Sequence, residues 1–172
     1  MTTFTKNGLN CRYLRGPVQI EFSESIEPIV PRKISMTRMA ITRADDAERK
    51  TTERGNKYIV PYGLYCCEGH VSANLAETTT GFSDADLDLL WEAIMNMFVD
   101  DCSSSRGKMT VRKFIVFKHD SKMGNAPDWK LLESAKVERV TDSSVPARRY
   151  SDYNISIDKT DFPNGVEVLE LL

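Results

Sequence analysis

Two β-prone arms that flank a charged segment constrain the fold of this chain more than any other feature. The stretch runs from Ile34 to Tyr65, with one arm over Ile34–Arg43 and the other over Lys57–Tyr65. The segment between them, Ala44–Asn56, is highly charged, ends in Gly-Asn and has no apolar anchor, so it cannot bury itself. We therefore predict a long β-hairpin with a solvated tip. Such an arm suits binding along a polyanion better than it suits the core of an enzyme.

The side chains of this hairpin combine cations with aromatic and thioether groups. Four cations lie on or near the arms: Arg38, Arg43, Arg54 and Lys57. Rings such as those of Tyr58, Tyr62 and Tyr65 stack on bases in single-strand binders, and they also pack within sheets. Met36 and Met39 fit either insertion between bases or packing at the root of the hairpin. The residues alone leave each of these alternatives open.

The order of the other predicted elements indicates the α+β class. Val18–Phe22 alternates as a half-buried strand, and Tyr65–Leu75 predicts a strand that continues across Gly69. Ser83 is a clear N-cap for an amphipathic helix that reaches Asp100 and carries aspartates in its first turn. The remaining elements are a continuously apolar strand over Thr110–His119, covered on both faces, a short helix from Pro127 to Ser134, and strands over Lys136–Val140, Tyr153–Ile157 and Val166–Leu172. The order resembles the closing half of a ferredoxin-like β-α-β-β-α-β domain, and we predict a single domain over residues 1–172.

Charge is divided unevenly along the chain, although the net charge is only −2. Residues 1–60 and 106–150 carry net charges of +4 and +6, whereas residues 61–105 and 151–172 carry −8 and −4. This polarity arises in ordinary folded domains, and it also suits a protein that presents one basic face to nucleic acid. No apolar run approaches the roughly 20 residues of a transmembrane helix, and the first residues lack the blocks of a signal peptide. We therefore expect a cytoplasmic protein without a membrane partner.

Groups that carry enzyme chemistry are sparse in this sequence. His70 stands alone, and His119 ends an apolar strand beside Asp120, where a general base is found in some enzymes. A surface histidine on a basic strand is the simpler interpretation of His119. The sequence shows no metal-ligand spacing and no cofactor motif. The cysteines form neither a zinc pair nor a redox motif and predict small buried thiols: Cys11, Cys66, Cys67 and Cys102.

Collinear blocks over nearly the whole chain resemble one protein family. They are R-G-P-V-Q-I-E-F-S-E-S-I-E-P-I (Arg15–Ile29), I-T-R-A-D-D-A-E-R-K-T (Ile41–Thr51), K-Y-I-V-P-Y-G-L-Y (Lys57–Tyr65), G-F-S-D-A-D-L-D-L-L-W-E-A-I-M-N-M-F (Gly81–Phe98), M-T-V-R-K-F-I-V-F-K-H-D-S-K-M-G-N-A-P (Met109–Pro127) and K-V-E-R-V (Lys136–Val140). The family is the seventh CRISPR-associated protein family, and the blocks resemble its type I-C member, the repeated backbone subunit of Cascade.

The resemblance implies a modified RNA-recognition-motif (ferredoxin-like) palm with a protruding thumb hairpin, here residues 34–65. Members of the family polymerise along the guide RNA (crRNA), and each thumb crosses that RNA and displaces a base from the guide–target duplex. The arms around Thr37–Thr42 and Lys57–Val60 are thereby expected to lie against RNA, and basic residues of the palm to hold guide phosphates. The residues that we expect to bind RNA are Arg15, Met36, Thr37, Arg38, Met39, Arg43, Lys57, Lys118 and Lys122.

The implied function is a non-catalytic crRNA-binding subunit that acts in antiviral defence. Its expected partners are the guide RNA and its target-strand duplex, copies of itself and the other Cascade subunits, with no metal and no cofactor. The chain resembles only the C-terminal part of the family, because Met1–Thr5 aligns with an interior strand of the palm. We therefore expect an open sheet edge, uncovered apolar surface and self-association or dependence on a partner. Two alternatives are a ferredoxin-like RNA endonuclease that uses His119 or His70, and a remnant protein-interaction fragment.

Overall fold

A computed structural model of the chain describes residues 15–38, 53–103, 107–140, 142, 144–160 and 162–172. Contacts divide these residues into two compact units. The first unit draws on Met1–Glu24, Cys67–Glu138 and Asn154–Leu172, and the second unit draws on Ser25–Cys66 and Arg139–Tyr153. The paired strands of the predicted hairpin lie within the second unit.

Short strands and helices alternate along the described residues. In chain order they are β1 (Val18–Ile20), β2 (Glu24–Ser25), β3 (Arg32–Arg38), β4 (Glu53–Ile59), β5 (Tyr65–Cys66), β6 (Gly69–Val71), α1 (Ala73–Leu75), a π-helical turn (Ala76–Thr80), α2 (Asp84–Asn96), β7 (Ile115–His119), α3 (Asp128–Leu132), β8 (Ala135–Arg139), a 3-10 turn (Tyr150–Asp152), β9 (Tyr153–Ile157) and β10 (Val166–Glu170). The strands pair two by two: β1 with β6, β2 with β5, β3 with β4, β7 with β10 and β8 with β9. The RNA-recognition-motif palm stays a prediction.

Helix α2 begins where the sequence predicts. The Ser83 Oγ accepts a hydrogen bond from the Asp86 amide (3.3 Å), and the Asp86 Oδ2 accepts one from the Ser83 amide (2.9 Å), which closes a capping box. Hydrogen bonds from the backbone and side chain of Ser83 hold the pKa of Asp86 below its usual value. The predicted end at Asp100 is wrong, because the helix ends at Asn96 and the next residues form turns.

In the first unit, β7 and β10 form an antiparallel ladder of five residue pairs. Aromatic contacts support it: the ring of Trp91 in α2 meets Phe114 edge-on at 5.3 Å, and the rings of Phe117 and Phe162 lie 5.9 Å apart. The prediction that Thr110–His119 is covered on both faces is wrong, since its apolar side chains are half-buried and the assigned strand starts five residues later. The predicted strand at 153–157 is confirmed as β9 with the same ends, and those at 136–140 and 166–172 are confirmed as β8 and β10 with shifted ends.

Two of the predicted strands are wrong in part. The expected strand Tyr65–Leu75 is interrupted after Cys66 and ends at Val71, because the Ser72 Oγ accepts a hydrogen bond from the Leu75 amide (3.3 Å) and caps a helical turn instead. The expected strand over residues 18–22 ends at residue 20. Phe22 is 98% exposed and covers nothing. Only Gly69, which has no side chain, stands opposite the last residue of that strand.

Few large side chains are buried within the described residues. The buried apolar residues there are Ala76, Leu131, Ala147 and Tyr153. The prediction of buried thiols is wrong for Cys66, Cys67 and Cys102, which are exposed, and Cys11 lies outside the described residues. Exposed apolar side chains are common and include Met123 at 86%. Among the described helices, none is both long and apolar enough to cross a bilayer.

Candidate nucleic-acid interface

The β3–β4 hairpin forms a ladder of seven residue pairs, from Arg32 opposite Ile59 to Arg38 opposite Glu53. Strand β4 therefore begins inside the predicted tip, and the prediction that residues 53–56 belong to that tip is wrong. Backbone pairing, together with a 3.2 Å side-chain hydrogen bond from Ser35 to Asn56, orders this segment without an apolar anchor. The second arm ends at residue 59 rather than residue 65, because Pro61 has no N–H to continue the ladder.

The register sorts the hairpin side chains into two faces, since directly opposed residues lie on the same side of a sheet. One face, which we call the basic-aromatic face, carries three cross-strand pairs: Lys33 with Tyr58, Ser35 with Asn56 and Thr37 with Arg54. All six of these residues are exposed. The opposite face, which we call the mixed face, combines apolar side chains with two cations and carries Arg32, Ile34, Met36, Gly55, Lys57 and Ile59.

The predicted site residues of the hairpin divide between these faces. Thr37 lies on the basic-aromatic face, whereas Met36 and Lys57 lie on the mixed face. Met36 is 53% exposed and has only Gly55 opposite it, while Lys57 is half-buried. Arg38 is the last described residue of the first strand and pairs with Glu53. Two further predicted residues, Met39 and Arg43, lie outside the described residues, as does segment 39–52.

Of the six residues on the basic-aromatic face, only Thr37 was among the nine residues expected to bind RNA, and the charged and aromatic residues that were not are Lys33, Arg54 and Tyr58. In the ladder, Lys33 lies opposite Tyr58 and Arg54 lies opposite Thr37. The Tyr58 side chain is 66% exposed. This exposure excludes burial of Tyr58 in a core and leaves much of its ring accessible to solvent. The missing signal was the register: pairing of β4 from Glu53 onwards decides which cation shares a face with the ring.

Three predicted palm cations lie in the first unit, and each has polar neighbours there. The Lys122 Nζ is 2.7 Å from the Glu77 Oε2, and Lys118 on β7 stands opposite Glu167 on β10. Both members of the Lys122–Glu77 pair are more than half exposed, so the pair contributes only about 0–1 kcal/mol to stability. Arg15 precedes β1 and is exposed.

Arg15 belongs to a small hydrogen-bonded group at the start of β1. With the amide of Gln19 oriented to satisfy both neighbours, its oxygen accepts from the Arg15 Nε (3.0 Å) and Nη2 (3.1 Å). In that orientation the amide nitrogen donates to the His70 Nε2 (3.3 Å). His70 therefore acts here as an acceptor of a structural hydrogen bond.

The His119 side chain also has a structural partner. Its Nδ1 accepts the backbone N–H of Asn125 at 2.9 Å, and the Asn125 Oδ1 accepts the N–H of Ser121 at 3.0 Å. These bonds close the loop after β7, which matches the simpler interpretation of His119 as a surface histidine. Within the parts of the chain that the structure describes, no group of three His, Cys, Asp or Glu side chains is arranged to hold a metal ion.

Comparison with known proteins identifies the family. The family model described as CRISPR-associated protein Cas7 matches residues 1–158 of the 172. No curated protein matches the chain. The match spans most of the sequence and confirms the resemblance seen in the collinear blocks, while the type I-C assignment stays a prediction. The chain belongs to the CRISPR-associated protein Cas7 family.

Proposed function

We propose that this chain is a guide-RNA-binding backbone subunit of a type I CRISPR surveillance complex and that it makes and breaks no covalent bond. Membership of the Cas7 family supports a role in an RNA-binding CRISPR effector complex. The observation that carries the proposal is the basic-aromatic face, where an exposed tyrosine and exposed cations share one side of a paired hairpin. Such combinations bind single-stranded nucleic acid through phosphates and base stacking.

Each part of this face has a distinct role in the proposal. Lys33 and Arg54 attract phosphates, and their contacts release counterions from the RNA. Tyr58, at 66% exposure, offers a ring for base stacking that does not depend on sequence. The polar side chains of Ser35 and Asn56 hydrogen-bond one another and keep the strands in register between the cations.

In this proposal the palm also binds phosphates of the guide RNA. Arg15, Lys118 and Lys122 hold guide phosphates once the carboxylates that now face the two lysines are displaced. Copies of the chain assemble along the RNA, and the type I-C Cascade is the complex whose backbone the sequence blocks resemble. Exposed apolar side chains such as Phe22 and Met123 supply surface that a neighbouring subunit can cover.

Fluorescence anisotropy with a labelled single-stranded RNA tests the proposal. We expect binding whose log K falls steeply with log salt concentration, and intact RNA after prolonged incubation. Arg54→Gln should lower the magnitude of that slope by about 0.7, the value for one single-strand phosphate contact. Tyr58→Leu should weaken binding by about 1–3 kcal/mol and leave the slope unchanged.

A matched control is Lys130→Gln, which removes an exposed cation from α3 in the first unit. It should bind RNA like the wild-type chain. Absence of binding at low salt, or shortening of the RNA during incubation, would contradict the proposal. Retention of full affinity by both Arg54→Gln and Tyr58→Leu would remove the hairpin from the interface.

A further inference from the structure

The segments that enter and leave the β3–β4 hairpin line the same small cavity in the second unit. Residues 27–30, just before β3, and residues 62–64, just after β4, line the same small cavity of about 20 Å³. Tyr153, which is only 8% exposed, lies against this cavity together with Ala147. The root of the hairpin is therefore built around a side chain that is remote in sequence.

A bridging carboxylate joins these segments. The Glu27 Oε2 accepts a hydrogen bond from the Arg139 Nη1 at 2.5 Å and another from the Tyr153 hydroxyl at 2.8 Å. The Arg139 guanidinium also lies 5.4 Å from the centroid of the Tyr153 ring and donates from Nη2 to the carbonyl of Val145 at 2.7 Å. A carboxylate five residues before β3 is thus held by two groups from a distant segment.

The Arg139–Glu27 pair is less exposed than the other ion pairs found among the described residues. The Arg139 and Glu27 side chains are 12% and 33% exposed, whereas those of Lys122 and Glu77 are 64% and 58% exposed. A partly desolvated guanidinium needs its counter-charge, so removal of the carboxylate is costly. Burial, followed by the hydrogen bond to Glu27, raises the pKa of Tyr153 to about 12 and keeps the phenol protonated as a donor.

The chain between the cluster and β3 is stiff. Pro28 and Pro31 fix their own φ angles and restrict the residues before them, so four residues with little freedom separate Glu27 from Arg32. A displacement of the carboxylate is therefore passed on to the first hairpin strand rather than absorbed by a flexible linker. After the second hairpin strand, Pro61 comes immediately before the cavity-lining residues 62–64.

We propose that Glu27, Arg139 and Tyr153 are positioning residues that fix the direction in which the hairpin presents its basic-aromatic face. None of them is assigned a contact with RNA. Their effect on affinity rests on the proposed RNA-binding function, whereas their effect on the hairpin root does not. The three residues act by holding the root of the hairpin against the segment from residue 139 to residue 153.

Hydrogen exchange measured by mass spectrometry tests the structural half of the inference. Glu27→Gln should speed exchange of amides in residues 25–31 and 60–66 by roughly ten- to a hundredfold, because a charge-assisted bond is lost. Tyr153→Phe removes one hydroxyl, keeps the ring and should speed the same segments by a smaller factor. Glu77→Gln, the same chemical change at an exposed pair in the first unit, should leave both segments unchanged.

Salt-dependent RNA binding tests the functional half. Glu27→Gln and Tyr153→Phe should weaken binding severalfold while the slope of log K against log salt stays that of the wild-type chain, because no phosphate contact is removed. A reduced slope in Glu27→Gln overturns the positioning role. Unchanged exchange at both segments in both variants also overturns it, and so does equal acceleration of exchange throughout the first unit. Failure of the wild-type chain to bind RNA would count against the proposed function alone, because the exchange result still decides the role of the cluster at the hairpin root.

Discussion

Alkaline titration of Tyr153 should destabilise the fold in a narrow pH window. The pKa of this phenol rises from 10.0 to about 12, first because the side chain is buried and then because its hydroxyl donates to Glu27. The folded state therefore holds the proton more tightly than the unfolded state does. The resulting stabilisation is fully present below pH 10 and is lost as the pH rises to about 12.

The size of this effect follows from the two pKa values. A difference of about two pKa units at about 1.4 kcal/mol each corresponds to about 3 kcal/mol of stability. Tyr153→Phe lacks the titrating group. The difference in unfolding free energy between the wild-type chain and this variant should therefore fall by about 2 kcal/mol as the pH is raised from 10 to 12, with the rest of the change falling outside that interval.

Two measurements check this prediction. Urea unfolding followed by circular dichroism at a series of alkaline pH values gives the free-energy difference, and the other tyrosines and lysines titrate in both proteins and cancel. Ultraviolet absorbance of tyrosinate gives the pKa directly, as the difference between the wild-type chain and Tyr153→Phe. Titration of Tyr153 near 10 in the folded protein, or a free-energy difference that does not change with pH, would refute the burial and hydrogen bonding that we describe.

Three further outcomes follow from the described contacts. Ser83→Ala should cost about 1 kcal/mol in urea unfolding, because it removes the acceptor for the Asp86 amide, and it should raise the pKa of Asp86 in an NMR titration. Leu131→Ala should cost about 2–5 kcal/mol, since Leu131 is 3% exposed and its loss leaves a cavity; a cost below about 1 kcal/mol would contradict that burial. Hydrogen bonding to Thr160 lowers the pKa of Asp158 to about 2, so its contribution to stability is present above pH 3.8 and is lost as the pH falls towards 2. Acid unfolding of Asp158→Asn should lack that part of the pH dependence.

Features that depend on neighbouring residues were predictable from the sequence. The start of α2 follows from Ser83 and the carboxylate three residues later, because a capping box needs no partner from elsewhere in the chain. The turn before β10 follows from Gly165, whose φ of +83° suits glycine. The same reasoning failed at Ser72, where alternating apolar residues indicated a strand and a local side-chain cap produced a helical turn.

Features that depend on register or on distant pairing were not predictable. The face occupied by Tyr58 depends on its pairing with Lys33, and one residue of slip would exchange the two faces of the hairpin. The cluster at the hairpin root joins Glu27 to side chains 112 and 126 residues away, a separation at which the sequence offers no signal. The prediction that the cysteines are buried was wrong because burial depends on which distant segments pack over them.

Ultraviolet cross-linking of a bound single-stranded RNA, followed by mass mapping of the attached peptide, shows whether the basic-aromatic face of the hairpin binds the RNA. We predict that the RNA stays intact and is attached within residues 53–59, with Tyr58 as the modified residue. Tyr58→Leu should lose that attachment while Lys130→Gln keeps it. Attachment confined to other parts of the chain, or cleavage of the RNA, would contradict the claim that the basic-aromatic face of the hairpin is the RNA-binding surface.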